Sequence, residues 1–221
     1  TSPNPRAYDV VIRNDAKTQE GVFKVHHVGT CYYYEIPVAE LGKDFFLLAE
    51  YWGGTAEALD GFFERDEVDA GFDFSFKGSC EAWVSGRGRS VAYAAYLRNR
   101  HQVRPGYLVA HYLSSHDEPM ALANLGGQRA RFRVCAALQM TSLGLPMIYY
   151  GEEVARGGHE WPLNRNDMPW GERDILPGKG VARDESMRAF YKALIQLRKE
   201  RAALRRGDYT MLTQPPDAVL A

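Results

Sequence analysis

Across 221 residues, 27 Lys and Arg stand against 28 Asp and Glu, a formal net charge of −1. That balance leaves no electrostatic case for nucleic acid or an anionic membrane surface as a partner, and no apolar run approaches the ~20 residues that a bilayer-spanning helix needs. Cys31, Cys80 and Cys135 share no metal-like spacing, so they read as buried thiols rather than as disulfides or ligands.

In chain order, residues 1–6 lack the basic-then-apolar order of a secretory leader, and the compartment stays open. Residues 1–40 are poorly legible. They combine turn formers (Ser2, Pro3, Asn4, Pro5), a short apolar run over 8–12 and the aromatic cluster Tyr32, Tyr33 and Tyr34, with no sustained period. From residue 45 the punctuation is clean. An apolar run stops at Glu50, beside Tyr51 and Trp52, and Gly53 and Gly54 end it. Residues 56–63 read as a short helix, and the alternating aromatics of 70–76 predict a strand. Residues 81–100 read as a helix interrupted by Gly86 and Gly88, with no phosphate-loop context for the intervening arginines. Residues 107–113 form a second apolar run, which stops short of His116 and Asp117 and is then broken by Pro119.

Residues 128–143 predict a helix with Phe132, Cys135, Ala136, Met140 and Leu143 on one face, and Arg129, Arg131 and Arg133 on a solvated one. Residues 145–150 read as a strand. More than thirty residues rich in Gly, Pro, Asn and Trp follow, and a loop that long in a compact domain is usually functional. Asp184 reads as the N-cap of a last helix to about residue 201, with the stripe Met187, Phe190, Tyr191, Leu194 and Leu197, closed by Gly207.

Glu50 and Asp117 each follow the tip of an apolar strand. Barrel strands deliver polar groups to their C-terminal face in this way, and two such carboxylates point to an acid/base pair on one pocket. Either segment alone reads equally well as a core strand followed by a solvated turn. Phe46, Tyr51 and Trp52 would desolvate Glu50 and favour its protonated, acid form.

Together these residues resemble the α-amylase family of retaining glycoside hydrolases. Residues 46–52, with Glu50, are similar to the family's third signature, which carries the general acid/base. Residues 112–117 are similar to the fourth, with a substrate-binding histidine at His116 and a transition-state-stabilising aspartate at Asp117; Ser115 stands where the family more often has Asn. Residues 144–153 are similar to the eighth strand and its loop, and residues 164–170 to the substrate-contacting loop beyond it. The segments stand in family order, the interval of 67 positions from Glu50 to Asp117 fits, and the likeness covers roughly residues 40–221.

The resemblance implies an α/β fold: a partial (β/α)8 TIM barrel, from about strand four or five to strand eight, with the start of a C-terminal β-domain. Residues 1–40 would be a lead-in containing a remnant of strand four and its helix, 41–206 the second half of the catalytic barrel, and 207–221 the opening of the β-domain. A whole barrel takes ~250 residues, so its first strands are expected to be missing. Half a barrel leaves edges unpaired, and self-association through them is expected.

By resemblance Glu50 is the acid/base, Asp117 the stabiliser, His116 a donor to sugar hydroxyls, and Trp52 a stacking platform. Tyr149, Trp161 and Trp170 suit stacking or packing. Asn164, Arg165 and Asp167 look like subsite contacts, although Arg165 and Asp167 also suit a pair with each other. Two registers compete for the second signature. In one, Arg13 and Asp15 supply its arginine and its nucleophile; in the other, His26-His27-Val28 matches the Lys-His-Val end, Phe23 takes the nucleophile's place, and the chain has no nucleophile. The implied function is a glycoside hydrolase acting on α-glucosidic bonds of maltodextrin-like or starch-like oligosaccharides. The alternative is a catalytically incompetent amylase-like chain or a carbohydrate-binding partner subunit. No cofactor and no catalytic metal are implied; the family admits a structural calcium, for which no site is legible here.

Overall fold

A computed structural model describes residues 7–20, 24–35, 46–52, 56–64, 68–100, 106–170, 183–207 and 209. The chain divides into two units, Thr1–Phe45 and Phe46–Ala221.

In the first unit, helix α1 (Tyr8–Val11) precedes strands β1 (Lys17–Gln19), β2 (Lys24–Val28) and β3 (Cys31–Glu35), which pair antiparallel in chain order. Val28 faces Cys31 across a two-residue turn whose Gly29 takes φ +64°. A connection that short joins only antiparallel strands. Where a remnant of a parallel barrel strand and its helix was expected, residues 17–35 thus pair among themselves. Polar contacts tie the sheet together. The Glu35 carboxylate accepts from the Tyr8 hydroxyl at 2.7 Å and from Lys24 Nζ at 3.3 Å, and lies 3.1 Å from His26 Nε2. These partners hold the Glu35 carboxyl below its ordinary pKa, Tyr8 contributing most.

The second unit is built on four parallel strands, β4 (Leu48–Ala49), β5 (Ala70–Asp73), β6 (Leu108–Tyr112) and β7 (Leu145–Met147), adjacent in chain order. Helices connect them, as parallel strands require. Helix α2 (Ala56–Glu64) follows β4; α3 (Ser75–Val84) and α4 (Ser90–Arg100) follow β5; α5 (Ala121–Asn124) and α6 (Arg129–Thr141) follow β6; α7 (Glu185–Glu200) and α8 (Ala202–Arg206) close the described chain. A β-carbon at Gly71 would lie 2.3 Å from Leu59 Cδ2, so glycine lets α2 pack tightly on β5. The core gathers Phe76, Cys80, Tyr93, Phe132, Met140 and Tyr191 from the α3, α4, α6 and α7 faces. Cys80 and Cys135 are buried free thiols, and the side chain of Cys31 lies outside the described set.

Three local expectations change. The strand over 70–76 ends at Asp73, because the Asp73 Oδ1 accepts the Ser75 amide at 2.9 Å and turns the chain into α3. The eighth barrel strand ends at Met147, three residues earlier than expected. The arginines of α6 are not all fully solvated: Arg129 is exposed and pairs with Asp184 at 2.7 Å, but the half-buried Arg133 donates to Ser186 at 3.0 Å and lies over the Phe190 ring. The expected opening of a C-terminal β-domain and the second-signature position Phe23 lie outside the described residues, apart from Gly207 and Tyr209.

Candidate active site

Parallel strands send their chain ends to one side of the sheet, so β4 carries Glu50 and β6 carries Ser114 to Asp117 to the same C-terminal edge. There a pocket of about 230 Å³ opens, lined by Glu50, Trp52, Phe74, Tyr112, His116 and Asp117 among others. An oxygen of Glu50, a ring nitrogen of His116 and an oxygen of Asp117 all lie within 4.8 Å of one another. His116 Nε2 is 3.2 Å from Asp117 Oδ2, and Arg165 Nη2 donates to Asp117 Oδ1 at 3.0 Å.

The pocket wall is aromatic. Trp52 meets Phe74 edge-on at 5.2 Å, Phe74 meets Tyr112 at 5.7 Å, and Phe72 meets Tyr112 at 6.1 Å. Phe72, Phe74, Tyr112 and Met147 escaped the sequence reading, although the alternating aromatics of β5 carried a usable signal: every second side chain of a strand faces one side. The Tyr112 hydroxyl donates to Glu118 Oε2 at 2.8 Å, and burial pushes its pKa up.

The desolvation expected around Glu50 is absent. Glu50 is exposed, and Phe46, Tyr51 and Trp52 are 57 %, 47 % and 66 % exposed. Tyr149 lines the pocket, whereas the exposed Trp161 and Trp170 do not appear among its described lining residues. Asn164 is buried, with its Nδ2 donated to the His116 carbonyl at 2.8 Å, so it braces the loop rather than facing open solvent. Arg165 pairs with Asp117 instead of Asp167, and Asp167 is exposed. Arg13 and Asp15 belong to the first unit. They pair with each other at 3.4 Å in an exposed turn ahead of β1, not at the C-terminal tip of a parallel strand.

Behind the pocket lies a buried polar layer that the sequence did not announce. Lys77 of α3 donates to the Pro119 carbonyl at 2.6 Å and sits 3.9 Å from Glu118, while Glu81 accepts from Asn124 Nδ2 at 3.1 Å. Burial lowers the Lys77 pKa and raises that of Glu81. Glu152 is fully buried, and desolvation pushes its carboxyl up to about 8 against the Ser114 hydroxyl and the Tyr149 amide.

A parallel α/β sheet with acidic and aromatic groups gathered at its C-terminal edge is the architecture of barrel enzymes. Comparison with known proteins narrows the class. Neopullulanase 2 of Thermoactinomyces vulgaris is 30 % identical over 175 residues, which is 77 % of this chain and 28 % of that protein. A cyclomaltodextrinase of Bacillus sp is 28 % identical over 187 residues, 80 % of this chain and 30 % of that protein. The cyclic α-maltosyl-(1→6)-maltose hydrolase of Arthrobacter globiformis, in complex with cyclic α-maltosyl-(1→6)-maltose, superposes with a TM-score of 0.64 at 26 % identity, covering 76 % of this chain and 36 % of that one. These relatives and structural neighbours are enzymes of the α-amylase family, and the chain is similar to part of their (β/α)8 catalytic domain. It spans under a third of the length of the two curated relatives. Residues 5–51 match a different model, described as a domain of unknown function (DUF5118).

Proposed function

We propose that the pocket binds α-glucan oligosaccharides of the maltodextrin type, and that Glu50 and Asp117 serve hydrolysis of their α-glucosidic bonds with retention. The observation that carries this reading is the convergence of Glu50, His116 and Asp117 within 4.8 Å beside an aromatic wall. Trp52 offers a flat face for a sugar ring. Glu50 protonates the departing glycosidic oxygen and later takes a proton from the attacking water, while Asp117 and His116 hold hydroxyls of the sugar as its oxocarbenium character grows. The relatives support the substrate class: their names describe action on cyclomaltodextrin and on a cyclic maltosyl-maltose.

Retention also needs a nucleophilic carboxylate. Among the pocket's described lining residues the carboxylates are Glu50 and Asp117. That observation favours a second reading, in which the 221-residue chain holds α-glucan without cleaving it. Release of chloronitrophenol from its α-maltotrioside separates the two. Turnover that falls by about a thousandfold in Glu50→Gln supports the hydrolase. No turnover from a chain that binds maltotriose supports the binding reading, and turnover unaffected by Glu50→Gln contradicts the role given to Glu50.

A further inference from the structure

We propose that Arg165 is a positioning residue, one that fixes the Asp117 carboxylate instead of gripping the sugar itself; its relevance to sugar rests on the reading of the pocket given above. Arg165 Nε donates to the His116 carbonyl at 2.9 Å, and its Nη2 donates to Asp117 Oδ1 at 3.0 Å. One planar guanidinium therefore spans the backbone of residue 116 and the side chain of residue 117. A lysine ammonium on its flexible stem is a point charge and cannot hold both acceptors in that fixed geometry.

Arg165 is itself held in place by its neighbours. Arg156, 1 % exposed, donates to the carbonyls of Asn164 at 3.3 Å and Asn166 at 3.1 Å, on either side of Arg165. The Arg156 guanidinium lies over the Tyr150 ring at 4.1 Å, and a β-carbon at Gly151 would strike its side chain at 2.6 Å. Asn164 adds a second grip on the same loop, its Nδ2 reaching the His116 and Glu118 carbonyls at 2.8 and 3.3 Å. Two consecutive residues of the loop beyond β7 thus grasp the loop beyond β6.

The consequence falls on Asp117. Arg165 holds Oδ1, and His116 Nε2 stands 3.2 Å from Oδ2, so the plane of the carboxylate is set. A carboxylate held in one plane presents its remaining lone pairs to hydroxyls at fixed angles, without reorganising when ligand arrives. The Arg165 side chain is 45 % exposed, so this pair contributes little to global stability and its effect belongs to the loop.

The test uses the whole chain, with Arg165→Met and Arg165→Lys, followed by amide hydrogen exchange over residues 114–120 and by tryptophan-fluorescence titration with maltotriose. Both variants should melt within about 2 °C of the wild type, since an exposed pair is removed. Exchange across the loop should rise about fivefold or more in both. The maltotriose Kd should weaken about tenfold in both, with no rescue by lysine. Unchanged loop exchange in Arg165→Met overturns the positioning role whatever the sugar does. Full affinity in Arg165→Lys overturns it too, because the fork would then be dispensable. A wild type that binds no maltotriose while the variants loosen the loop upholds the hold on Asp117 and removes the sugar-site reading instead.

Discussion

Glu152 shows how a residue beside a conventional-looking loop can depart from surface behaviour. It is fully buried, accepts the Tyr149 amide at 3.0 Å, and burial pushes its carboxyl up to about 8. A carboxyl raised in the fold binds its proton more tightly there than in the unfolded chain. Its contribution to stability is therefore complete below about pH 4 and is lost as pH rises through about 8. Glu152→Gln keeps the shape and removes the titration. It should match the wild type near pH 4 and exceed it by several kcal/mol, up to about 5, at pH 8, read from urea midpoints; equal midpoints at both pH values would refute the buried-acid assignment. Glu50 and Asp117 stood out in the sequence because each interrupts an apolar run at a strand tip. Lys77, Glu81 and Glu152 did not, because a charged side chain on a helix or after a turn looks solvated until the packing around it is known. Asn164 looked like a sugar contact by resemblance, and its burial turns that polarity inward.

Among the elements, the last long helix has a start that the sequence locates from its cap. Asp184 Oδ1 accepts the Met187 amide at 3.0 Å, the N-cap geometry that its position ahead of an amphipathic stripe predicts. Ser186, the Met187 amide and Arg129 together hold the Asp184 carboxyl down at about 2. A lowered carboxyl contributes stability above its unfolded value of ~3.9, and that contribution is lost as pH falls toward about 2. Asp184→Ala should cost about 1 kcal/mol at pH 7 and flatten the loss of stability between about pH 4 and pH 2; a thermal-melt series over that range reads both. The junction of β5 and α3 was misread for a physical reason. Alternating Phe72, Phe74 and Phe76 satisfies a period of two, but Asp73 captures the Ser75 amide, and Phe76 then enters the core from a helix.

At the scale of the molecule, the legible and illegible parts of the chain coincide with its two units. Strand-tip patterns, glycine turns and one amphipathic helix locate the parallel sheet of Phe46–Ala221, because period and punctuation act locally there. The meander of Thr1–Phe45 has short strands tied by Tyr8, His26 and Glu35, and leaves no hydrophobic period to read. Within the described sheet β4 and β7 are the outer strands, and Phe46, Leu47 and Leu48 are exposed at the start of β4. In the proposed function Glu50, His116 and Asp117 make one α-glucan site. Calorimetric titration of the whole chain with maltotriose, alongside Asp117→Asn, tests it most directly. Saturable binding by the wild type, weakened about tenfold or more in the variant, is expected. Absence of binding by a folded wild-type chain, or equal affinity in Asp117→Asn, would contradict it.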